Sequence, residues 1–481
     1  MAETTSTLFP GEDNDLRRAL GPVHLVTLGI GAIIGAGIFV AIGPAAANSA
    51  GPAIILSFAL AGVGCFFAAL CYAEFAAMIP IAGSAYSYAY VTVWPIFAWI
   101  IGWDLMIEYL AAASAVSVGW SGYFKGLMAD FGIVLPPALS ASPIAIDAAD
   151  HLSFSGTIIN IPAMGLILFL TTLLVIGIRA SATFNGFMVL LKVAIVILVI
   201  FSGLSFIDFA NLTPFIPPNT TGTYGQFGWT GIFTGAGIVF FAYIGFDAVS
   251  VAAQEARNPQ RDMPIGILGS LAICTVLYML MSFVITGLAP YQLLNVPNPV
   301  AVAVTHAGTS LAWLVPLVNI GATIGLGTVV LVLLLGQTRV FYAMSRDGML
   351  PPIFSKVHPK FRTPYIGTMV TGGFAALLAA FLPHDLLIKL VSIGTLAAFI
   401  VVCIGVIVLR RTAPHAHRPF RTPFVPWFPL AGIFACGLMA FSLPWGTWLR
   451  FIVWMAIGLV VYATYAASHA KPPKWTIRKG A

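Results

Sequence analysis

The chain has 481 residues, of which 59% are hydrophobic and 8% are charged, whereas a soluble domain carries about 25% charged residues. Such a chain cannot enclose one core within a polar surface, so a soluble globular protein is excluded and an integral membrane protein is indicated. The net charge of +6 does not indicate a nucleic acid partner, because the basic residues lie in short segments beside apolar stretches.

Residues 1–22 begin the chain with a polar, acidic segment that lacks the features of a cleavable signal peptide. We predict a cytoplasmic N-terminal segment here. The five cysteines lie inside apolar stretches without metal-ligand spacing, and the eight histidines are dispersed. We therefore expect buried thiols and no metal site.

About twelve apolar stretches follow, each near the roughly 20 residues that cross a bilayer as a helix. We predict an all-α integral membrane protein with spans at 23–48, 52–79, 95–123, 157–178, 183–207, 229–256, 264–288, 311–345, 364–382, 386–410, 427–443 and 447–468. Segment 126–156 is expected to be an external loop, and 339–362 the main cytoplasmic loop, with short helical structure.

Charge distribution predicts the orientation of these spans. If the N-terminus is cytoplasmic, most of the 22 Lys and Arg residues lie on the inner side, and the exceptions are Lys125, Lys389, Arg450 and the intramembrane Lys192. Cytoplasmic loops are enriched in these residues. Both termini, including the tail 469–481, are therefore predicted to be cytoplasmic, in a multi-pass protein of the inner or plasma membrane.

Two spans are interrupted at corresponding places. Glycines break the first span between Gly29 and Gly37, and a second break lies between Phe240 and Asp247 of the sixth. Backbone groups freed in this way are tolerated in a membrane only where they line a cavity or bind a ligand. The breaks therefore predict a transporter's substrate site.

The distance between the breaks also predicts the domain organisation. It divides the chain into five-span units, 23–207 and 229–410, and an odd number of spans turns the second unit upside down. We predict a 5+5 inverted repeat with the site at its interface. The two spans in 427–468 are accessory.

The chemistry of the two breaks suits a zwitterion. Gly31, Gly35 and Gly37 leave amide N–H groups accessible at the start of the outer half-helix, whose N-terminus favours a carboxylate. Carbonyl groups in the sixth span can accept hydrogen bonds from an ammonium group; they belong to Phe241, Ala242 and Ile244. Together they match the backbone of an α-amino acid. Gly31 and Gly35 also form a G-x-x-x-G helix-packing pattern, whereas a dinucleotide fingerprint would need a preceding strand.

Lys192 is the one basic residue well inside a span. One interpretation is that its ammonium group extends to the cytoplasmic interface, about two helical turns away. The other is a proton carrier, charged in one conformation and neutral in another. A fixed ammonium group would also occupy the place of a sodium ion, so a proton is the expected coupling ion.

Two acidic residues, Glu108 and Asp247, are further candidates for coupling. Asp104 and Glu108 share one face of the third span, and Glu108, near mid-depth, is either part of the cavity or proton path or a buried carboxyl group. Asp247 begins the inner half of the sixth span, where it caps that half-helix, takes part in coupling, or does both.

Charged residues also surround the inner ends of the second and sixth spans: Glu74, Glu255, Arg257, Arg261 and Asp262. They form either a cytoplasmic gate of ion pairs or interfacial anchors of small energy. Thr328 of the eighth span either approaches the fifth span or bonds to its own helix. The motifs of hydrolases, metalloproteases and nucleotide-binding loops are absent, so we predict no enzyme.

Several segments resemble, in order, bacterial members of the cationic amino acid transporter family, within the amino acid, polyamine and organocation superfamily. They are TLGIGAIIGAGIF (27–39), FFAYIGFD (240–247), EARNPQRDM (255–263), GQTR (336–339) and MSRDG (344–348). The resemblance implies a LeuT-like fold of ten core helices plus two, with helices 1 and 6 broken, and amino acid uptake by alternating access.

The resemblance also implies residue roles. It places the site for the substrate backbone on the sixth-span carbonyls above and on Ile33, Ile34, Ala36 and Gly37, although relatives often have a hydroxyl residue at position 36. It matches the family's proton-linked lysine to Lys192. Family members also have acids at the positions of Glu108 and Asp247.

The predicted function is proton-coupled symport of L-amino acids, with no cofactor, no metal and no nucleic acid partner. An amino acid exchanger and a nutrient-sensing receptor on a transporter scaffold are the alternatives. The side-chain preference stays open between cationic and small neutral amino acids, as do the oligomeric state and a small membrane partner. Membrane lipid is the expected surrounding.

Overall fold

The computed structural model describes residues 20–78, 86, 95–146, 152–177, 182–246, 249 and 256–471. The first 19 residues of the predicted N-terminal segment and most of the C-terminal tail lie outside the described residues. The candidates Asp247 and Glu255 also lie outside them.

The described residues of the first half of the chain form helices and one hairpin, joined by loops. Its helices are α1 (Pro22–Ile33), α2 (Ile42–Ala45), α3 (Ile54–Met78), α4 (Pro95–Asp130), α5 (Ile161–Ile176), α6 (Ala182–Leu204) and α7 (Gly228–Val239). π-Helical turns cover Gly37–Ala41 and Ala46–Ala50, and 3₁₀ turns cover Gly51–Ala53, Pro137–Leu139 and Phe240–Tyr243.

The second half contains helices α8 (Pro259–Leu288), α9 (Pro299–His306), α10 (Leu314–Arg346), α11 (Tyr365–Phe381), α12 (His384–Thr412), α13 (Trp427–Phe441), α14 (Trp445–Val461) and α15 (Ala467–His469). A π-helical turn, Tyr462–Ala466, joins α14 to α15, and 3₁₀ turns lie at Tyr291–Leu294, Thr309–Leu311 and Pro352–Ser355.

Seven helical stretches among the described residues are long and apolar enough to cross a membrane: Pro22–Met78, Pro95–Asp130, Gly186–Leu204, Pro259–Leu288, Leu314–Arg346, His384–Thr412 and Trp445–His469. Shorter apolar helices are Ile161–Ile176, Gly228–Tyr243, Tyr365–Phe381 and Trp427–Phe441. The first stretch contains the spans predicted at 23–48 and 52–79, and every other predicted span overlaps one of these helices. The prediction of a mostly helical protein with many apolar helices is confirmed.

Local residue choice explains several helix ends. α8 and α9 begin at Pro259 and Pro299, in the first helical turn, where proline loses no intrahelical hydrogen bond. Asn160 caps α5 by accepting a hydrogen bond from the Ala163 N–H group at 3.2 Å. The same helix ends at Gly177, whose φ of 82° is left-handed.

Two loops contain more structure than we predicted. α4 continues to Asp130, seven residues beyond the predicted span. The loop after it forms a two-stranded antiparallel hairpin, β1 (Ile144–Ile146) paired with β2 (Leu152–Phe154). The connection between α8 and α10 contains the short helix α9. Apolar periodicity at span length does not detect elements of three to eight residues.

α4 lies at the centre of the bundle and packs against α5, α10, α11 and α12. Small polar side chains join it to its neighbours. Ser114 donates to the Ala375 carbonyl at 2.9 Å, and Ser117 donates to the Ala163 carbonyl at 2.7 Å. Such bonds between helices are typical of membrane interiors, where water cannot supply a partner.

α14 lies at the edge of the bundle. Of the 18 most apolar consecutive residues in Trp445–His469, 11% are buried, compared with 72% in α4. A tryptophan stack attaches it to α4: Trp103 lies 4.7 Å from Trp454 between ring centroids, and its indole N–H donates to the Trp454 carbonyl at 2.9 Å. The five cysteines of the chain are buried, free thiols.

Candidate functional site

The first break follows α1. Ile34 leaves the helical conformation (φ −71°, ψ 99°), although its N–H group still donates to the Ile30 carbonyl at 2.8 Å. Helical structure resumes at the π-helical turn that begins at Gly37. The first N–H groups of that turn have no partner within the turn itself, although the Phe39 N–H group donates to the Gly35 carbonyl at 3.3 Å. This stretch of chain is buried.

The second break follows α7. The α-helix is followed by the 3₁₀ turn Phe240–Tyr243, and Ile244 then adopts an extended conformation (φ −58°, ψ 136°). Gly245 has a φ of 113°, which side-chain-bearing residues rarely adopt. The carbonyl groups in this stretch therefore point in several directions rather than along one helix axis.

The two breaks lie against each other. A Cβ atom added at Gly37 would overlap the side chain and backbone of Ala242. A Cβ atom at Gly245 would lie 2.7 Å from the Ala32 carbonyl oxygen. Only glycine permits this approach, so the glycines place the backbones of both breaks in direct contact.

Tyr278 of α8 joins the two breaks, and the sequence analysis missed it. Its hydroxyl oxygen lies 2.7 Å from the Ile33 carbonyl oxygen and 2.8 Å from the Ala242 carbonyl oxygen. The hydroxyl carries one proton and can donate to one carbonyl at a time. The signal available in the sequence was a tyrosine within an apolar span, because a buried hydroxyl group requires a partner.

Lys192 of α6 points into the protein, toward the first break. Its Nζ donates to the Gly31 carbonyl at 2.7 Å and to the Ile34 carbonyl at 2.9 Å, and the side chain is 2% exposed. Its stem lies against Gly325 of α10, where a Cβ atom would be 2.7 Å from the lysine Cδ. The interpretation that Lys192 extends to the interface is therefore wrong.

Thr328 bonds to its own helix. Its hydroxyl group donates to the Gly325 carbonyl at 2.7 Å. Of the two interpretations offered for this threonine, the local backbone bond is the one observed.

The predicted substrate residues gather at these breaks. The Ile33 and Ala242 carbonyls share Tyr278, and the Ile34 carbonyl accepts from Lys192. The Phe241 carbonyl accepts from the Ile244 N–H group at 3.3 Å. The remaining members, Ala36 and Gly37, begin the helical piece that follows the first break. The arrangement brings backbone donors and acceptors together beside one buried cation.

The acidic candidates of α4 lie deep in the bundle. Asp104 and Glu108 are each 2% exposed. Asp104 faces α12, since a Cβ atom at Gly394 would lie 2.9 Å from its Oδ1 atom. In the part of the chain that the structure describes, no group of three or more His, Cys, Asp or Glu side chains could hold a metal ion.

Glu74 is buried but belongs to a different cluster from the one we predicted. Arg410 of α12 donates to both of its carboxylate oxygens at 2.9 Å, and Arg418 lies 3.2 Å from one of them. The Thr422 N–H group donates to it as well, at 2.8 Å. Glu74 therefore fastens the loop between α12 and α13.

The predicted gate is also not assembled among its other described members. Arg257 and Arg261 are exposed. Asp262 accepts a hydrogen bond from the Asn258 N–H group at 3.2 Å, within its own first helical turn. That bond is a local cap rather than a link to the second span.

Two apposed breaks in a bundle of apolar helices, with a buried lysine bonded to one of them, define the class of protein. Interrupted helices that meet inside the membrane are the binding-site arrangement of secondary transporters. The class is therefore a multi-pass membrane transport protein.

Comparison with known proteins agrees with this class. Residues 20–461 match the family model described as amino acid permease. The chain is 46% identical over 459 residues to the methylthioribose transporter of Bacillus subtilis (strain 168), and 46% identical over 460 residues to the branched-chain amino acid permease BcaP of the same organism. Each alignment covers 95% of both chains.

A plant relative extends the comparison. The chain is 39% identical over 402 residues to the vacuolar cationic amino acid transporter 2 of Arabidopsis thaliana, covering 83% of this chain and 61% of the relative. The chain belongs to the amino acid permease family, within the amino acid, polyamine and organocation superfamily. These relatives are named as transporters rather than enzymes.

Proposed function

We propose that the protein is an amino acid permease that holds the zwitterionic backbone of its substrate between the two breaks. The observation that carries the proposal is their direct apposition, with Gly37 against Ala242 and the Tyr278 hydroxyl group within hydrogen-bond distance of a carbonyl on each side. The N–H groups of the turn that begins at Gly37 suit a carboxylate. The carbonyls of Phe241, Ala242 and Ile244 suit an ammonium group, because each carbonyl oxygen has a second lone pair.

Proton coupling through Lys192 is the second part of the proposal. The Lys192 ammonium group is held by two carbonyls that belong to the first break and the turn before it. Loss of its proton would convert charge-assisted hydrogen bonds into weaker neutral ones. The protonation of Lys192 would thus change the energy of the conformation that binds substrate. Glu108 and Asp247 are the proposed acids of the proton path.

The proposed architecture is a LeuT-like 5+5 inverted repeat, 23–207 and 229–410, with accessory helices in 427–468. Helices that occupy equal places in the two units pack against each other: α3 with α8, α4 with α10, and α5 with α11. A two-fold axis in the membrane plane would produce such pairs. The distribution of Lys and Arg supports a plasma membrane protein with both termini cytoplasmic, twelve crossings and the tail 469–481 inside.

A neutral side chain is the proposed specificity. The side chains that closely approach Gly31, Gly35 and Gly37 are apolar (Val189, Val329 and Ala242, in that order), and the hydroxyl group of Ser270 lies beside Gly29. A cationic substrate would need a desolvated acid near its side chain. The name of the Bacillus subtilis branched-chain permease also favours a neutral amino acid for this chain.

Methylthioribose is the second candidate substrate. A relative named for its transport shares the same 46% identity with this chain. This neutral thiosugar has neither the carboxylate nor the ammonium group that the two breaks would bind. It would instead use the backbone groups for hydroxyl contacts.

Uptake by purified protein in liposomes tests the proposal. We expect labelled L-leucine or L-alanine to accumulate under an inward proton gradient, with competition from unlabelled neutral amino acids and little from arginine or methylthioribose. Uptake that requires internal amino acid and ignores the gradient would identify an exchanger. Binding without flux would identify a receptor, and competition by methylthioribose alone would identify the second candidate substrate.

A further inference from the structure

The arginines around the end of α12 outnumber their acidic partners. Four of them end this helix or lie in the loop before α13, and we call them the arginine cluster: Arg410, Arg411, Arg418 and Arg421. No Asp or Glu follows Asp385 in the chain. Among the described residues, Glu74 is the one acid that pairs with the cluster. The cluster therefore carries an excess of positive charge at one end of the helix bundle.

Two members of the arginine cluster are bound within the protein. Arg410 and Arg418 share Glu74, and Arg418 is 6% exposed. Arg418 also donates, at 2.7–3.2 Å, to the carbonyl groups of Leu409, Ala413, Pro414 and Ala416. Burial lowers the pKa of Arg418 and Glu74 raises it, whereas the nearby charges of Arg410 and Arg421 lower it. These bonds fix the shape of the loop, so little conformational freedom is lost when a ligand binds there.

The other two members face outward. Arg411 and Arg421 are exposed, and neither forms an ion pair with a residue that the structure describes. The exposed His415 and His417 lie in the same loop. Guanidinium groups form strong, charge-assisted hydrogen bonds with phosphate oxygens. The free charge of Arg411 and Arg421 therefore suits a phosphate group.

Aromatic side chains continue from the arginine cluster along the outside of the bundle. Phe424 is 73% exposed, and its ring centroid lies 5.3 Å from that of Phe428. Phe428 lies 5.4 Å from Phe67 of α3, and Phe67 lies 5.8 Å from Phe66, which is 44% exposed. Phe67 precedes Glu74 by seven residues, or about 10 Å along α3. This aromatic strip thus extends from the level of the arginines into the apolar part of the bundle.

The surroundings of the cluster favour a lipid over a soluble anion. Trp427, which begins α13, is 71% exposed, and tryptophan beside basic residues is typical of the interface between membrane and water. The Thr422 hydroxyl group donates to the Leu70 carbonyl at 3.0 Å, which holds the loop against α3 and its aromatic side chains. A soluble anion would contact the arginines alone, whereas a phospholipid would contact the arginines and the aromatic strip.

We propose that this surface binds one anionic phospholipid, with its phosphate on Arg411 and Arg421 and an acyl chain along the aromatic strip. The site is separate from the two breaks, since it lies on the outside of the bundle, and it goes beyond the proposed transport. Its lipid comes from the leaflet at this end of the bundle. In the proposed orientation that is the cytoplasmic leaflet, whose negative surface potential attracts basic residues.

The test measures the binding of dioleoyl phosphatidylglycerol and dioleoyl phosphatidylcholine to the full-length protein purified in detergent, with bound lipid counted by native mass spectrometry. We expect the wild type to retain one phosphatidylglycerol in preference to phosphatidylcholine. Arg421→Gln is expected to weaken phosphatidylglycerol binding about fivefold, and the double change Arg411→Gln with Arg421→Gln to remove the preference. Arg421→Lys keeps the charge and should keep a preference. The matched control is Arg261→Gln, an exposed arginine of α8, which should bind like the wild type.

The acyl chain and the headgroup are tested separately. We expect Trp427→Ala and Phe424→Ala to weaken the binding of both lipids alike, because these changes remove apolar contact and no charge. Melting temperatures in lipid-free detergent near that of the wild type show that the variants fold. A wild type without preference for phosphatidylglycerol, or a double variant with the wild-type preference, would overturn the site. Displacement of the lipid by an equal concentration of glycerol phosphate would indicate a site for soluble anions and would also overturn it.

Discussion

Replacement of Tyr278 by phenylalanine tests whether the two breaks work as one unit. The change removes one oxygen atom and leaves the ring in place, so the packing with Phe58 and Tyr243 is kept, at centroid distances of 5.4 and 5.5 Å. The hydroxyl donates one hydrogen bond at a time, to the Ile33 or the Ala242 carbonyl. A net hydrogen bond contributes about 1 kcal/mol, which corresponds to a factor of about five in an equilibrium constant.

We therefore expect KM for amino acid uptake to rise about fivefold in Tyr278→Phe, because the carbonyls that receive the substrate are less firmly positioned. Tyr86→Phe is the matched control: the Tyr86 hydroxyl donates at 2.9 Å to the carboxylate of Asp347, which follows α10 and belongs to neither break. That variant should lose a similar amount of thermal stability without the rise in KM. An unchanged KM in Tyr278→Phe, or an equal rise in both variants, would refute the reasoning.

Two further predictions concern stability. Glu74→Gln leaves the buried Arg418 and the partly buried Arg410 without a counter-charge, so we expect a loss of about 3 kcal/mol in the free energy of unfolding. A melting temperature equal to that of Arg411→Gln, which changes an exposed arginine on the same helix, would contradict this. Gly245→Ala places a side chain at φ 113° and against the Ala32 carbonyl. We therefore expect this variant to lose uptake and to have a lower melting temperature. Uptake by the variant at the wild-type rate would show that the close approach of the two breaks is not needed.

Much of the fold was predictable because it depends on short-range patterns. Apolar stretches of span length located the helices, and glycines marked both interruptions, several of them between Gly29 and Gly37 and one, Gly245, in the sixth span. These signals are local. Bilayer thickness sets the length of a membrane-spanning helix, and glycine lets the backbone leave the helical conformation. The hairpin β1–β2 and helix α9 escaped because they are too short to show periodicity.

The contacts between distant residues were not predictable from one sequence. Glu74 and Arg410 are 336 positions apart, and nothing near Glu74 distinguishes Arg410 from the arginines of the sixth span. The direction of Lys192 depends on which helix α6 packs against, because the same span position is compatible with an interfacial or a buried ammonium group. Tyr278 lies in an apolar span without a motif. Its role is apparent only once the positions of the Ile33 and Ala242 carbonyls are known.

The central claim is that Lys192, bonded to the first break, couples a proton to amino acid movement. The most direct measurement compares L-leucine and L-alanine uptake by wild type and Lys192→Met in liposomes, with and without an inward proton gradient. We expect the gradient to stimulate wild-type uptake, and the variant to keep amino acid binding while losing the response to the gradient. A wild type that ignores the gradient, or a variant that responds fully, would contradict the claim.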